Sequence, residues 1–522
     1  MGLKTNTFHL RTAFLNLIMP VSVFISLFAT DMKAQPCKDI IGYYPAWQWY
    51  DRNKLVRPAT IHYNKYTMIN YSFFKPLPDG TIVGTDNWVD PIILEGDMNY
   101  KLVPAARDIT TSLPYLAHKA GIKLLISVGG WSLSTDFPSI SADPIKRLTF
   151  AKACTGLIQK YDLDGIDIDW EYPGYAEHGG TSNDKRNCTL LFQALRSALD
   201  AYGATTGKKY LLTAAFGASP QHFENIEWSR MTPLLDRINL MTYDFFGAWN
   251  ENTNHNAPLY ATAQIGCVDC NIQFTIDKLI NTYNVPKEKL VAGVAFYGRS
   301  QKTVGTPYLY APSTKTVDNA TFPEDEGSPL YYNIVAKSDR FEFHWDEVVL
   351  APYLLGKNGL NTFVSYDNKR SIAQKAQYYK DRDIKGVIIW ELTGDYIETA
   401  PNSGVIAGTP LLDTVNAVFC RSGARTSGAT ADKAVAYWYE YEIAPNENNQ
   451  INILFNVSKS NTSVSAQVYD MRGLMVLQKE FGSLPKGAYQ YQLPETAGLK
   501  NNVYIIVLKI GEKLHAKKWL KF

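Results

Sequence analysis

Eight apolar runs, each continuous rather than alternating, recur between residues 40 and 392 and limit what this chain can fold into. They are IIGYYPAW (40–47), MINYSFF (68–74), KLLISVGGW (123–131), GIDIDWEY (165–172), YLLTAAFG (210–217), RINLMTYDFFG (237–247), KLVAGVAFYGR (289–299) and GVIIWEL (386–392). A strand with one face in water alternates apolar and polar residues, so runs that do not alternate belong to a sheet covered on both faces, as parallel sheets are. Helical patterns lie between the runs, at 144–160 before the fourth and at 371–382 before the eighth. This succession predicts an α/β fold, a TIM (β/α)8 barrel, whose functional groups stand where the strands end. Trp47, Trp131, Glu171, Asp244, Arg299 and Glu391 fall at or just past those ends.

The seventh and eighth runs stand too far apart for one connecting helix. An inserted α+β subdomain is expected at about 300–367, because the apolar and aromatic content of YLYAP and FEFHWDE argues against a long structureless loop. The last barrel helix is expected at 410–419. The small residues SGARTSGATADK (422–433) then mark a linker over 421–440. From Tyr441 the segments INILFNV, SVSAQVYD, LMVLQKEF, AYQYQL and NVYIIVLKI, separated by turn residues, predict a small β-sandwich over 441–522.

The formal charge is only +2 over 522 residues, which gives no basic surface for a nucleic-acid partner, and a neutral substrate fits better. At the N-terminus Lys4 and Arg11 precede an apolar stretch from about Ala13 to Ala29, and Ala34 follows. Residues 1–34 read as an export signal, cleaved after Ala34 or near Ala29. Asn16, Pro20, Ser22 and the short length argue against a membrane span. An exported chain meets an oxidising compartment where its six cysteines can pair, but spacing does not give connectivity. Cys267 and Cys270 lack the second ligand pair that a zinc site needs, so a local disulfide or two buried thiols is expected there.

On an extended strand the side chains alternate, which puts Gly165, Asp167, Asp169 and Glu171 on one face and Ile166, Ile168 and Trp170 on the other. Three carboxyl groups then point into the barrel mouth. Burial and mutual repulsion raise carboxyl pKa values, the property required of a general acid working near neutral pH. No matching cluster of His, Asp or Glu appears at the other strand ends, so neither a metal nor a cofactor is expected.

The run DGIDIDWEYPG (164–174) resembles the signature of glycoside hydrolase family 18, and SVGGW (127–131), MTYDFFGAW (241–249) and GVIIWEL (386–392) resemble its third-, sixth- and eighth-strand motifs. The resemblance extends over most of residues 38–420. YGR (297–299), the insertion and YDN (366–368) resemble the branch that carries an α+β insertion and cleaves chitin. The resemblance implies a retaining mechanism without an enzyme nucleophile, acting on chitin or N-acetylglucosamine oligosaccharides. It makes Glu171 the acid and then the base, Asp169 the residue that holds the substrate acetamide, Asp167 its proton-sharing neighbour, and Tyr243 the donor to the acetamide oxygen. Tyr43, Gly129, Gly130, Trp131, Ser132, Tyr172, Met241, Asp244, Arg299 and Trp390 become candidate substrate-binding residues, Trp390 as the pocket floor. Tyr43 and Ser127 match positions that support Asp167, and Asp164 is expected to brace the strand. Arg299 has two readings, a contact to sugar hydroxyls or a pair with an acid of the insertion. Trp47, Trp49, Trp88, Trp131 and Trp249 are candidates for stacking on sugar rings.

Two rival functions remain within the resemblance: lectins that have lost the acid, and endoglycosidases that cut N-linked glycans. The intact acids and Tyr243 speak against the first, the insertion and the WEYP run against the second. In the C-terminal segment VYDMRGLMVLQ (468–478), LPKGAYQYQL (484–493), NVYIIVLKIG (502–511) and the basic run 517–522 resemble sorting domains of type IX bacterial secretion, although APNENN (444–449) replaces the usual Pro-Asn-Pro opening. A carbohydrate-binding module is the alternative, with Trp519 its one late tryptophan. Sorting implies the secretion machinery as partner and an extracellular or outer-surface location. A monomer is expected.

Overall fold

The computed structural model describes residues 37–101, 104–262, 267–420, 441–445, 450–457 and 459–521. The export signal and the linker expected from the sequence lie outside these residues.

Eight parallel strands form the centre: β1 (Asp39–Pro45), β2 (Met68–Pro76), β3 (Lys123–Gly129), β4 (Gly165–Asp169), β5 (Leu211–Gly217), β6 (Arg237–Met241), β7 (Leu290–Ala295) and β8 (Gly386–Trp390). Each pairs with its sequence neighbour, and β1 pairs with both β2 and β8, which closes the barrel. The continuous runs are explained by burial on both faces. Outward residues such as Ile40, Ile126, Ile166, Ile168, Leu240 and Ile389 join the large cluster beneath the helices, while Ile41, Leu125, Val291 and Ile388 pack inside the barrel. Most runs outlast their strands at the C-terminal end. The apolar and aromatic residues that follow, such as Trp131, Trp170 and Phe245, belong to the loops of the barrel mouth.

The helix Pro144–Tyr161 starts where the Asp143 carboxylate accepts from the N–H groups of Ile145 and Lys146. At the helix Lys369–Asp381, Asn368 and Ser371 form a reciprocal capping box. These caps satisfy backbone donors that would otherwise be orphaned.

Between β7 and β8 lies a four-stranded antiparallel sheet, in the order Gly298–Lys302, Thr362–Tyr366, Ala351–Gly356, Phe341–Asp346, with the helix Tyr331–Ala336. Phe322, Ile334, Phe341, Leu354 and Val364 give it a core of its own. The seventh apolar run therefore divides. β7 ends at Ala295, and Gly298 and Arg299 already belong to the first strand of the insertion. At the exit from the insertion, Asp367 and Lys375 form a buried ion pair, with Nζ 2.6 Å from both carboxylate oxygens.

Cys37 and Cys420 form a disulfide across 383 residues, Cys267 and Cys270 form a local one, and Cys154 and Cys188 are buried thiols. C-terminal to the barrel, a three-stranded sheet (Tyr441–Pro445, Ile451–Val457, Gly487–Leu493) and a four-stranded sheet (Met475–Leu484, Thr462–Asp470, Asn502–Ile510, Lys513–Lys521) share one hydrophobic cluster. Residues 517–521 of the terminal basic run are thus part of a strand. Trp519 is buried in the shared core, which removes it as a sugar platform.

Candidate active site

Alternation along β4 places Asp167 and Asp169 inside the barrel, with Ile166, Ile168 and Trp170 in the outer cluster. Asp167 is fully buried and accepts four hydrogen bonds. Oδ2 takes the Tyr43 hydroxyl at 2.9 Å and Ser127 Oγ at 2.8 Å; Oδ1 takes Asn239 Nδ2 at 3.1 Å and the Thr213 hydroxyl. Burial raises its pKa while these donors work against the rise. Asp169 is as deeply placed, but its Oδ1 has no hydrogen-bond partner among the described residues. Its carboxyl is pushed well above the ordinary carboxylate range, first by burial and then by the charges of Glu171 and Asp167. Of the two, only Asp167 has donors able to hold a negative charge.

Glu171 follows the strand end by two residues. Burial is the main cause of its raised pKa; the charge of Asp244 adds to the rise, while a hydrogen bond from Tyr172 and the Arg299 guanidinium oppose it. Tyr172 is itself held face to face against His222, the ring centroids 3.8 Å apart. Burial depresses the His222 pKa to about 4, so that ring is neutral near pH 7.

Asp244 has a left-handed backbone (φ 58°) that brings its carboxylate to Arg299. Nε meets Oδ1 at 2.8 Å and Nη2 meets Oδ2 at 2.7 Å, while the Tyr297 hydroxyl also donates to Oδ1 at 2.6 Å. Arg299 thus pairs with an acid of the barrel, not of the insertion as one reading had it; its Nη1 reaches Ser328 in the insertion at 3.0 Å. A test follows from the electrostatics. If Glu171 is the general acid it works protonated, and with its pKa raised to about 7 activity is expected to fall as pH rises through that value. Asp244→Asn removes a like charge and leaves Arg299 unneutralised, and both effects lower the Glu171 pKa. The basic limb of the kcat/KM profile is expected to move to lower pH, and a shift to higher pH would contradict this coupling.

Tyr243 is buried beneath the mouth and packs edge-on to Tyr297. It fits only because Gly293 on β7 lacks a side chain, since a Cβ there would stand 2.6 Å from the Tyr243 ring. Met241 lies with Trp390 against the same inner cluster. Trp390 is partly buried, stacked on Phe73 at 5.6 Å and flanked by Tyr43 and Trp47. Gly129 and Gly130 both have positive φ, and side chains there would strike the Asp169 carbonyl and the Phe73 ring respectively. Gly129 allows close approach between the ends of β3 and β4, and Gly130 lets the chain pass Phe73 of β2. Ser132 is exposed, as is Trp131, at 51%. Asp164 lies before β4, at the far end of the barrel, accepting from the Leu124 N–H at 2.8 Å and contacting His118 at 3.0 Å, so it ties β3 to β4.

Trp47, Trp88, Trp131 and Trp249 are exposed, but Trp49 is buried under the Lys54 ammonium and belongs to the core. Glu391, although at a strand end, turns away from the acidic cluster: its carboxyl accepts from the Thr393 hydroxyl at 2.6 Å, and burial pushes its pKa up to about 8. Thr213, Asn239, Ser134, His178 and His222 lie at the site outside the quoted motifs, and Tyr297 lies within YGR without having been singled out. Thr213 and Asn239 carried a readable signal, as lone polar residues in the apolar runs LLTAAF and INLM.

Residues 39–395 match the family described as glycosyl hydrolases family 18. Chitinase A1 of Niallia circulans is 33% identical over 490 residues, covering 84% of this chain and 69% of that protein. Among solved structures, chitinase ChiA74 from Bacillus thuringiensis superimposes with a TM-score of 0.65 at 26% identity, over 93% of this chain and 85% of that one. The second catalytic domain of Ostrinia furnacalis Group II chitinase, solved as a mutant in complex with penta-N-acetylchitooctaose, gives 0.62 at 27% identity, over 73% and 96%. With the closed barrel and its buried acids, these matches establish that the chain belongs to glycosyl hydrolases family 18.

Proposed function

We propose that the protein is a chitinase, hydrolysing β-1,4 bonds between N-acetylglucosamine units by retaining, substrate-assisted catalysis. The observation that carries this reading is the Asp169 carboxyl, buried next to the charge of Glu171 with one oxygen unpartnered. Such a group is costly unless a ligand donor completes it, and the N–H of a substrate acetamide supplies that donor.

Glu171 gives its proton to the glycosidic oxygen as the acetamide carbonyl oxygen of the same sugar attacks C1. The C1–O bond breaks, and a cyclic oxazolinium ion forms on the retained sugar. Asp169 accepts the acetamide N–H and offsets the positive charge, with its proton moving toward Asp167, whose four donors hold the neighbouring site in place. Tyr243 donates to the acetamide oxygen. Glu171, now a carboxylate, takes a proton from water, which opens the ring from the opposite face and restores the β configuration. Trp390 floors the pocket, and the exposed tryptophans extend the sugar contact. Chitin hexamer is expected to yield products that are initially β-anomers. Initial α-anomers would reject retention, and cleavage confined to N-glycoproteins would favour the endoglycosidase reading.

The C-terminal sandwich is proposed as the sorting module of an exported protein. Support comes from its motifs and from Trp519, the aromatic a carbohydrate module would want at the surface, lying in the core. Deleting residues 441–522 is expected to hold the enzyme within the cell envelope while its turnover of soluble oligomers is unchanged. Undiminished release into the medium would reject the sorting role.

A further inference from the structure

Glu171 stands beyond the last residue of β4, where the sheet's ladder hydrogen bonds no longer fix its backbone. Two side chains replace them. The Glu171 N–H donates to Ser134 Oγ at 2.9 Å, and its carbonyl oxygen lies 2.6 Å from His178 Nδ1. A carbonyl only accepts, so Nδ1 carries the proton and donates.

The loop between them folds back to make this contact. The Tyr175 N–H meets the Tyr172 carbonyl at 2.9 Å, and the His178 N–H meets the Tyr175 carbonyl at 3.1 Å. The buried Asp184 carboxylate fastens the loop by accepting from the N–H groups of Gly174 and Thr181 at 3.0 and 3.1 Å. The same imidazole packs against Trp131, with centroids 4.7 Å apart. One ring therefore touches both the backbone of the proton donor and the underside of an exposed aromatic platform.

We propose that His178 is a positioning residue that ties Glu171 to the Trp131 wall of the cleft; this rests on the reading of Glu171 as the acid. Holding the Glu171 carbonyl fixes the plane of the next peptide and the start of Tyr172, whose ring stacks on His222. The donor function acts on the chemical step. The ring, as backing for Trp131, acts on sugar binding.

Two substitutions separate these functions. His178→Phe keeps a ring but loses the donor, and is expected to lower kcat on chitin hexamer by about tenfold to a hundredfold with KM little changed, the scale set by sub-ångström misplacement of a catalytic group. His178→Asn keeps an N–H donor near the Nδ1 position but loses the ring, and is expected to raise KM about threefold or more while holding kcat well above that of the Phe variant. Glu171→Gln is measured alongside. An unchanged kcat in His178→Phe, with Glu171→Gln inactive, overturns the tie. Equal kcat losses in both His178 variants indicate a merely structural residue and overturn it as well. Turnover by Glu171→Gln removes the acid assignment itself and the proposal with it.

Discussion

Glu171→Gln is expected to lower kcat on N-acetylglucosamine oligomers by about 10²–10⁴-fold, the usual contribution of a positioned general acid, while the oligomers still bind. The amide has nearly the shape of the carboxyl. What it lacks is a transferable proton for the leaving oxygen and, afterwards, a base for water. Glu171 has a second effect on the site, since its charge helps to push the Asp169 pKa up. The amide removes that charge, so Asp169 ionises more readily and the site remains able to receive an acetamide N–H. Titration calorimetry with chitin hexamer, set beside turnover, checks both halves. Near-normal turnover would sink the acid assignment, and loss of binding in step with turnover would point to a collapsed site.

Lys375→Met is expected to destabilise the barrel by about 3–5 kcal/mol, the scale for breaking a buried ion pair from one side. Lys375 and Asp367 are almost wholly buried, and Asp367 also accepts the Ser371 hydroxyl at 2.6 Å. With the ammonium gone, the carboxylate keeps its desolvation penalty and loses its counter-charge. Asp367 follows the last strand of the insertion directly and precedes the helix Lys369–Asp381, so the loss falls where the insertion rejoins the barrel. Adding Asp367→Asn is expected to restore much of the stability, because the stranded charge is then removed. Denaturant unfolding of the two single variants and the double variant measures this; a double variant as unstable as the sum of the singles would show that the pair is not the cause.

The barrel was legible because burial on both faces leaves a mark in one dimension, eight unbroken apolar runs. Strand ends were not, because mouth residues such as Trp131 and Phe245 are as apolar as the strands they follow. Asp167, Asp169 and Glu171 stood out through alternation within one segment. The donors that hold Asp167 come from four other strands, β1, β3, β5 and β6, and the resemblance marked only Tyr43 and Ser127. The Asp244–Arg299 pair joins residues 55 positions apart, so a barrel acid as the partner of Arg299, which neither reading named, was not visible in the sequence. Trp49 shows the same limit: its type suits a sugar platform, but its neighbours put it in the core. In the terminal strand, lysines at 513, 517, 518 and 521 hid a strand that shows itself in its pairing with Asn502–Ile510.

The Cys37–Cys420 disulfide has a mechanical consequence. It clasps the residue two positions before β1 to the residue just after the helix Pro410–Phe419, making the catalytic unit a covalent ring. If the enzyme grips a polymer in its cleft while the chain beyond Cys420 is held elsewhere, the load enters at this clasp. It is then shared between the first strand and the last helix, so neither can be peeled away alone. A hydrolase pulled between an insoluble substrate and an anchored tail would keep its barrel closed under that tension.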